Sequence, residues 1–180
     1  MISIFFVTAA MIASLIQQPV KELDMECNNK VDEFCRIYGL AYDELDHPNS
    51  FLTPDGDRQF ISDEEICLIE RIVMSEARGE SCEAQEAVAT VILNRLMDGS
   101  FGDSIEEVCY AKGQFAAPYE GEISMSVNLA VRNAIVYYST YCQDLPSQIL
   151  YFRSHHYHDF GTPYISMGNL YFSARDGVLL

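Results

Sequence analysis

The chain has 180 residues, 49% of them hydrophobic and 21% charged, which suits one domain with a real core plus an appendage and excludes a disordered or fibrous protein. Eleven Lys and Arg against 27 Asp and Glu give a formal charge of −16 at pH 7, so phosphate backbones would be repelled and nucleic acid is not expected as a partner. No cluster of Lys and Arg exists that would hold the chain to an anionic bilayer by charge, and an acidic polymer would have to be gripped locally.

Residues 1–19 form a first segment. Met1 to Ile16 carries no charged side chain and is followed by Gln17, Gln18 and Pro19. A secretory signal fits the apolar length and the small residues Ala9, Ala10, Ala13 and Ser14, although the usual preceding Lys or Arg and a clean A-x-A cleavage site are missing. A full membrane span needs about 20 apolar residues, so an anchor is the second reading and a packed core segment the third. Export to the cell wall or the extracellular space is therefore expected, with membrane association through residues 1–16 as the alternative.

Residues 20–60 read as an acidic helix plus a linker. Cys27, Val31, Phe34, Cys35 and Tyr38 recur at three- and four-residue spacing and Gly39 can cap the helix; from Leu40 to Phe60, His47-Pro48-Asn49-Ser50 and Thr53-Pro54-Asp55-Gly56-Asp57 are turn signals. Asp55 and Asp57 suggest part of a calcium loop, but the Glu that would close one is absent.

Residues 61–180 are expected to form the folded unit. Ser62 with Glu65 is a capping box that opens a helix reaching about Glu76, Gly79 ends it, and Ser81 or Cys82 opens a second helix that runs to Gly99. Ser104 caps a short third helix, and a fourth starts near Ser126 and buries Val127, Ala130, Val131, Ala134 and Ile135. Ile149 to Arg153 and Tyr164 to Phe172 are aromatic and β-branched, which predicts two short extended segments. The class is α+β, helix-dominated. Six cysteines, at 27, 35, 67, 82, 109 and 142, contain no C-x-x-C pair; three disulfides and free buried thiols both fit, but Cys27 and Cys35, about 12 Å apart on one helix, cannot pair with each other.

Glu76 sits where an acid catalyst is easily built, at the end of an apolar helix, with Glu80 just past a glycine. A general acid working near neutral pH must be favoured in its neutral form, and both burial and the negative end of a helix dipole have that effect. The plainer alternative is a surface ion pair with Arg78 or another Arg. If the helix continued through Gly79, the two glutamates would be one turn apart, near the roughly 5 Å carboxylate spacing of retaining glycosidases.

The run Ser75-Glu76-Ala77-Arg78-Gly79-Glu80, then Gln85, Ala87-Val88-Ala89, Val91-Ile92-Leu93-Asn94-Arg95, Gln114-Phe115, Tyr151-Phe152 and Gly168-Asn169-Leu170-Tyr171-Phe172 resembles the SleB-type cell wall hydrolases, which include spore-cortex-lytic enzymes. The resemblance extends from Ser62 to Ser173. It implies a small lysozyme-like catalytic domain that cuts the N-acetylmuramic acid to N-acetylglucosamine bond of peptidoglycan glycan strands, commonly as a lytic transglycosylase, without metal or organic cofactor and as a monomer. Glu76 is then implied as the single general acid and base. Glu80, Gln114, Phe115, Tyr151, Asn169 and Tyr171 are implied at the sugar groove, Gln114 through its amide and the aromatic residues through their ring faces. Glu80 would hold Arg78 or orient a sugar, and Asn94 would tie the second helix to the loop after the first. The family pattern often places a His after Gly-Asn, whereas this chain has Leu170. Two rival readings stand beside this one: a non-catalytic wall-binding module on the same scaffold, and a metal-dependent hydrolase built on His155, His156 and His158.

Overall fold

The computed structural model describes residues 49–53, 56–136, 138 and 145–177. The apolar segment 1–19 and the helix expected over 20–38 lie outside the described residues. Within them the chain runs β1 (Ser50–Leu52), β2 (Arg58–Phe60), α1 (Asp63–Ala77), α2 (Cys82–Asp98), α3 (Ile105–Tyr110), α4 (Met125–Val136), β3 (Ile149–Ser154), β4 (Thr162–Met167) and β5 (Leu170–Ala174).

Serines start the helices as expected. Ser62 and Glu65 form the reciprocal box, with Ser62 N–H donating to Glu65 Oε2 at 2.8 Å and Glu65 N–H to Ser62 Oγ at 3.2 Å. Ser81 Oγ accepts from Ala84 N–H and Ser104 Oγ from Glu107 N–H, which opens α2 and α3. Gly99, at φ +73, ends α2 by donating its N–H to the Arg95 carbonyl.

α2 is the central element. It packs on α1, α3, α4 and β3, and Val91, Ile92, Leu93, Asn94 and Arg95 are five consecutive buried residues. A helix buried on every side loses the amphipathic stripe, and its polar residues must then find partners inside the protein. Asn94 does so: Nδ2 donates to the carbonyls of Pro146 and Ile149, and Oδ1 accepts from Tyr138 OH at 2.9 Å. The expected tie from Asn94 to the loop after α1 is not made. Gln85 makes it instead, with Nε2 donating to the carbonyls of Ala77 and Glu80 and Oε1 accepting from Ser126 Oγ.

Two expectations need correction. The part of the expected linker that is described forms an antiparallel β1–β2 hairpin, with Ser50 opposite Phe60, and it is not loose chain: Phe51 is 2% exposed and packs on Tyr138 at 4.6 Å. The single segment expected over Tyr164–Phe172 is a second hairpin, in which β4 and β5 turn at Gly168-Asn169 and the three-stranded antiparallel sheet takes the order β3-β5-β4. Gly168, at φ +58, supplies the left-handed residue of that turn. Cys67, Cys82 and Cys109 are free thiols.

Candidate active site

Glu76 lies on the last turn of α1, half-buried. The helix does not continue to Glu80: Arg78 leaves helical space at ψ 120° and Gly79 takes φ +94, so the two glutamates are not stacked one turn apart. Oε1 of Glu76 accepts the backbone N–H of Ala116 at 2.5 Å, and among the described residues the other oxygen has no hydrogen-bond partner. Nor is the ion pair with Arg78 formed. Arg78 Nη1 reaches Tyr119 OH at 3.5 Å and its guanidinium lies over that ring at 5.4 Å.

Ala116 belongs to the segment between α3 and α4, which runs antiparallel along α1. Ser75 Oγ donates to the Ala117 carbonyl at 2.7 Å, Arg71 Nη1 to the Tyr119 carbonyl at 2.6 Å, and Tyr119 N–H to the Arg71 carbonyl at 3.1 Å. These contacts bring the Phe115–Ala116 peptide to Glu76, one residue on from Gln114. Gln114 is exposed; Phe115 is half-buried and packs on Phe152 at 6.1 Å.

Glu80 is engaged elsewhere. Its Oε1 accepts from Asn169 Nδ2 at 2.9 Å and its Oε2 from Asn169 N–H at 3.2 Å, and a Cβ at Gly168 would collide with Oε2. The two Asn169 hydrogen bonds, with His155 adding a smaller electrostatic contribution, hold the Glu80 carboxyl below its ordinary value. Glu80 therefore does not hold Arg78. It ties the α1–α2 turn to the β4–β5 turn. Asn169 in turn accepts His155 N–H on its carbonyl at 2.7 Å, with His155 itself at φ +71.

The sheet register separates the remaining candidates. Phe152 faces Phe172 across β3 and β5, on the face that meets Phe115 and the core, whereas Tyr151 opposes Ser173 and Tyr171 opposes Arg153 on the other face. Tyr151 there joins Phe101 and Phe160, and Tyr171 meets Tyr157. The structure thus brings the Phe115–Ala116 peptide to Glu76 and links Glu80 to Asn169, while Tyr151 and Tyr171 make their ring contacts elsewhere. Leu170, which stands where the family pattern often has a His, is 2% exposed and part of the core.

Sequence reasoning missed Arg95. Arg95 is 4% exposed, and its guanidinium lies over the rings of Phe101 and Phe115, 4.7 Å from each centroid, with Nε donating to the Leu150 carbonyl at 2.8 Å. Burial pushes its pKa down to about 10, against the pull of Tyr151, Cys109 and Glu76. The available signal was a cation at the end of an apolar helical run, since a buried charge needs a built environment.

The three histidines do not converge. His158 Nε2 is 3.1 Å from the Phe152 carbonyl and its ring stacks on Phe160 at 4.6 Å, and among the described residues no group of three or more His, Cys, Asp or Glu is placed to hold a metal ion. A depression of about 220 Å³ lies between the end of α2, residues 147–150 and Arg175, and includes neither Glu76 nor Glu80.

The sequence profile of a family described as Cell Wall Hydrolase matches residues 79–172. Among curated proteins, the spore cortex-lytic enzyme of Oceanobacillus iheyensis is 40% identical over 78 residues, which is 43% of this chain and 28% of that protein. The spore cortex-lytic enzyme of Bacillus subtilis is 40% identical over 75 residues, 42% of this chain and 25% of that protein, so the match spans about a quarter of these relatives' length. Among solved structures, the catalytic domain of the Bacillus cereus SleB protein superposes with a TM-score of 0.53 at 24% identity, over 62% of this chain and 91% of that one. The catalytic domain of the germination-specific lytic transglycosylase SleB from Bacillus anthracis gives 0.54 at 24% identity, over 67% and 99%. The fold they share is the helix-dominated, lysozyme-like α+β arrangement described above.

Proposed function

Because the chain belongs to the cell wall hydrolase family, we propose that it cleaves the N-acetylmuramic acid to N-acetylglucosamine bond of peptidoglycan as a lytic transglycosylase, with Glu76 as its one acid and base. The observation that carries this reading is the contrast between the two glutamates: among the described residues Glu76 keeps one carboxylate oxygen without a hydrogen-bond partner, while both oxygens of Glu80 are engaged by Asn169. A retaining glycosidase needs a second carboxylate free to attack the anomeric carbon, and Glu80 is not free.

One carboxyl suffices for the transglycosylase reaction. Glu76, protonated, gives its proton to the glycosidic oxygen as the bond from that oxygen to the muramic acid C1 breaks. The muramic acid's own 6-hydroxyl then closes onto C1, and the Glu76 carboxylate takes the proton that this hydroxyl loses. The product is a 1,6-anhydro end, and no water is consumed. The Ala116 N–H fixes the carboxylate's orientation throughout. Gln114 and Phe115, beside the acid, supply an amide for an acetamido group and an apolar ring edge; Asn169 and Glu80 shape the wall formed by the β4–β5 turn. Tyr151 and Tyr171 stand outside this group.

On this reading the protein works at the cell wall, in keeping with the export expected from the apolar sequence of residues 1–16. Among the described residues no helix is long and apolar enough to cross a membrane.

The test is to incubate the full chain, as wild type and as Glu76→Gln, with vegetative peptidoglycan and with spore cortex, and to weigh the released fragments. Anhydro-ended fragments, lighter than hydrolysis products by one water, are expected from the wild type, with release by Glu76→Gln falling about a hundredfold or more. Reducing ends would make the protein a lysozyme-like hydrolase. Binding without release would leave it a wall-binding module.

A further inference from the structure

We infer that Arg95 is a positioning residue for the acid: by clamping the ring of Phe115 it holds the Phe115–Ala116 peptide so that the Ala116 N–H meets Glu76. The inference rests on the reading of Glu76 as the acid and adds a residue that acts on it from a distance.

Arg95 itself is anchored on the backbone of α2 and, through Nε, on the Leu150 carbonyl at the free edge of β3. Its guanidinium cannot hold Glu76 directly, since among the described residues it forms no ion pair within 4 Å. Its reach is through Phe115. The ring lies 4.7 Å from the guanidinium carbon, and the next residue's N–H is the hydrogen bond that Glu76 accepts at 2.5 Å. Phe101 closes the opposite face of the guanidinium at the same 4.7 Å but lies outside the segment that carries Ala116. The titratable groups within electrostatic reach of the guanidinium are Tyr151 on β3, Cys109 on α3 and Glu76 on α1.

Packing alone does not explain a cation here. Nη1 is buried with no hydrogen-bond partner, a desolvation cost that an apolar side chain of similar length would avoid. What an apolar chain would not supply is a planar, charged plate that fixes a ring face on each side and an edge strand at once.

The experiment compares Arg95→Lys, Phe115→Leu and Phe101→Leu in the full chain by two readouts. The first is amide hydrogen exchange at Ala116, followed by NMR, with Glu76→Ala as the reference for a lost acceptor. The second is kcat against apparent KM on solubilised glycan strands. Arg95→Lys and Phe115→Leu are each expected to speed Ala116 exchange about tenfold and to lower kcat about tenfold; for Arg95→Lys, which leaves the Phe115 ring in the groove, apparent KM should stay within about twofold, because the acid is displaced while the groove is kept. The Arg95→Lys, Phe115→Leu double variant should fall no further than either single one, since both act on one linkage. Phe101→Leu is expected to leave Ala116 exchange and kcat at wild-type values.

A folded Arg95→Lys with wild-type exchange at Ala116 would overturn the inference. So would Phe101→Leu matching Phe115→Leu, because the guanidinium would then be ordinary packing. If Arg95→Lys does not fold, the two phenylalanine variants decide alone. Exchange at Ala116 needs no turnover, so a wild type that releases no fragments would sink the proposed reaction while the clamp on the Ala116 N–H was still decided.

Discussion

Glu76 and Glu80 are four positions apart and the fold gives them different partners. Glu80 makes the more readily measured prediction. Its carboxylate form is favoured by two N–H donors from Asn169, so its pKa in the folded protein lies below the ordinary 4.5. A carboxyl lowered on folding adds stability that is complete above its unfolded value and is lost as pH falls through the folded one. The Tm of wild type should therefore exceed that of Glu80→Gln at pH 7, and the gap should narrow only as the pH falls below the ordinary 4.5. A gap that does not change across the acid range would mean that Asn169 is held by shape and not by charge. The sequence made Glu76 legible, because a glutamate on the last helical turn before a glycine is a local pattern. It did not disclose Asn169 as the partner of Glu80, since that contact joins two turns 89 residues apart. Arg95 was hidden for a related reason: its position on a buried face follows from α2 being enclosed by four other elements, not from its own segment.

At the scale of elements, the starts of α1, α2 and α3 were legible because each is a serine whose hydroxyl does a specific hydrogen-bonding task. The sheet was legible in place but not in strand number. An aromatic run with Gly168-Asn169 inside it contains its own turn, and the glycine's positive φ is what folds it back. The segment between α3 and α4 was the least legible, since its structure is written in backbone groups that meet Arg71, Ser75 and Glu76 on another element. The short helix α3 carries a prediction of its own. Cys109 is buried, and burial pushes its thiol up to about 12, whereas Cys67 and Cys82 are half-buried. A thiol reacts as its thiolate, so in native protein at pH 8 a maleimide should label Cys109 last among these three, and at the rate of unfolding. Peptide mapping of the labelled sites over time checks the order, and early labelling of Cys109 would mean that α3 opens locally.

The whole molecule is acidic, at −16, and the glycan strand proposed as its substrate does not require the opposite sign. Where its folded unit begins is a matter of packing. The family match starts at residue 79, and the turn-rich text before Phe60 reads as a linker, yet Phe51 on β1 is buried in the same core cluster as Ile72, Val88 and Phe172. A three-residue strand has too little pattern to be read as a strand, and Phe51 and Leu52 are one short apolar pair among turn formers, so only the tertiary contact identifies it. Burying such a ring stabilises by about 1.5–3 kcal/mol, and removing it leaves a cavity against Tyr138 as well, so Phe51→Ala should cost about 3–5 kcal/mol. For a unit of this size that is a fall in Tm of roughly 10 °C or more, read by calorimetry or circular dichroism. A truncation that removes residues 1–60 should be destabilised at least as much, while one that removes 1–48 should keep the hairpin and its cooperative transition. If Phe51→Ala and the 1–60 truncation both melt with the full chain, the hairpin adds nothing to the core and the folded unit starts at the Ser62 capping box.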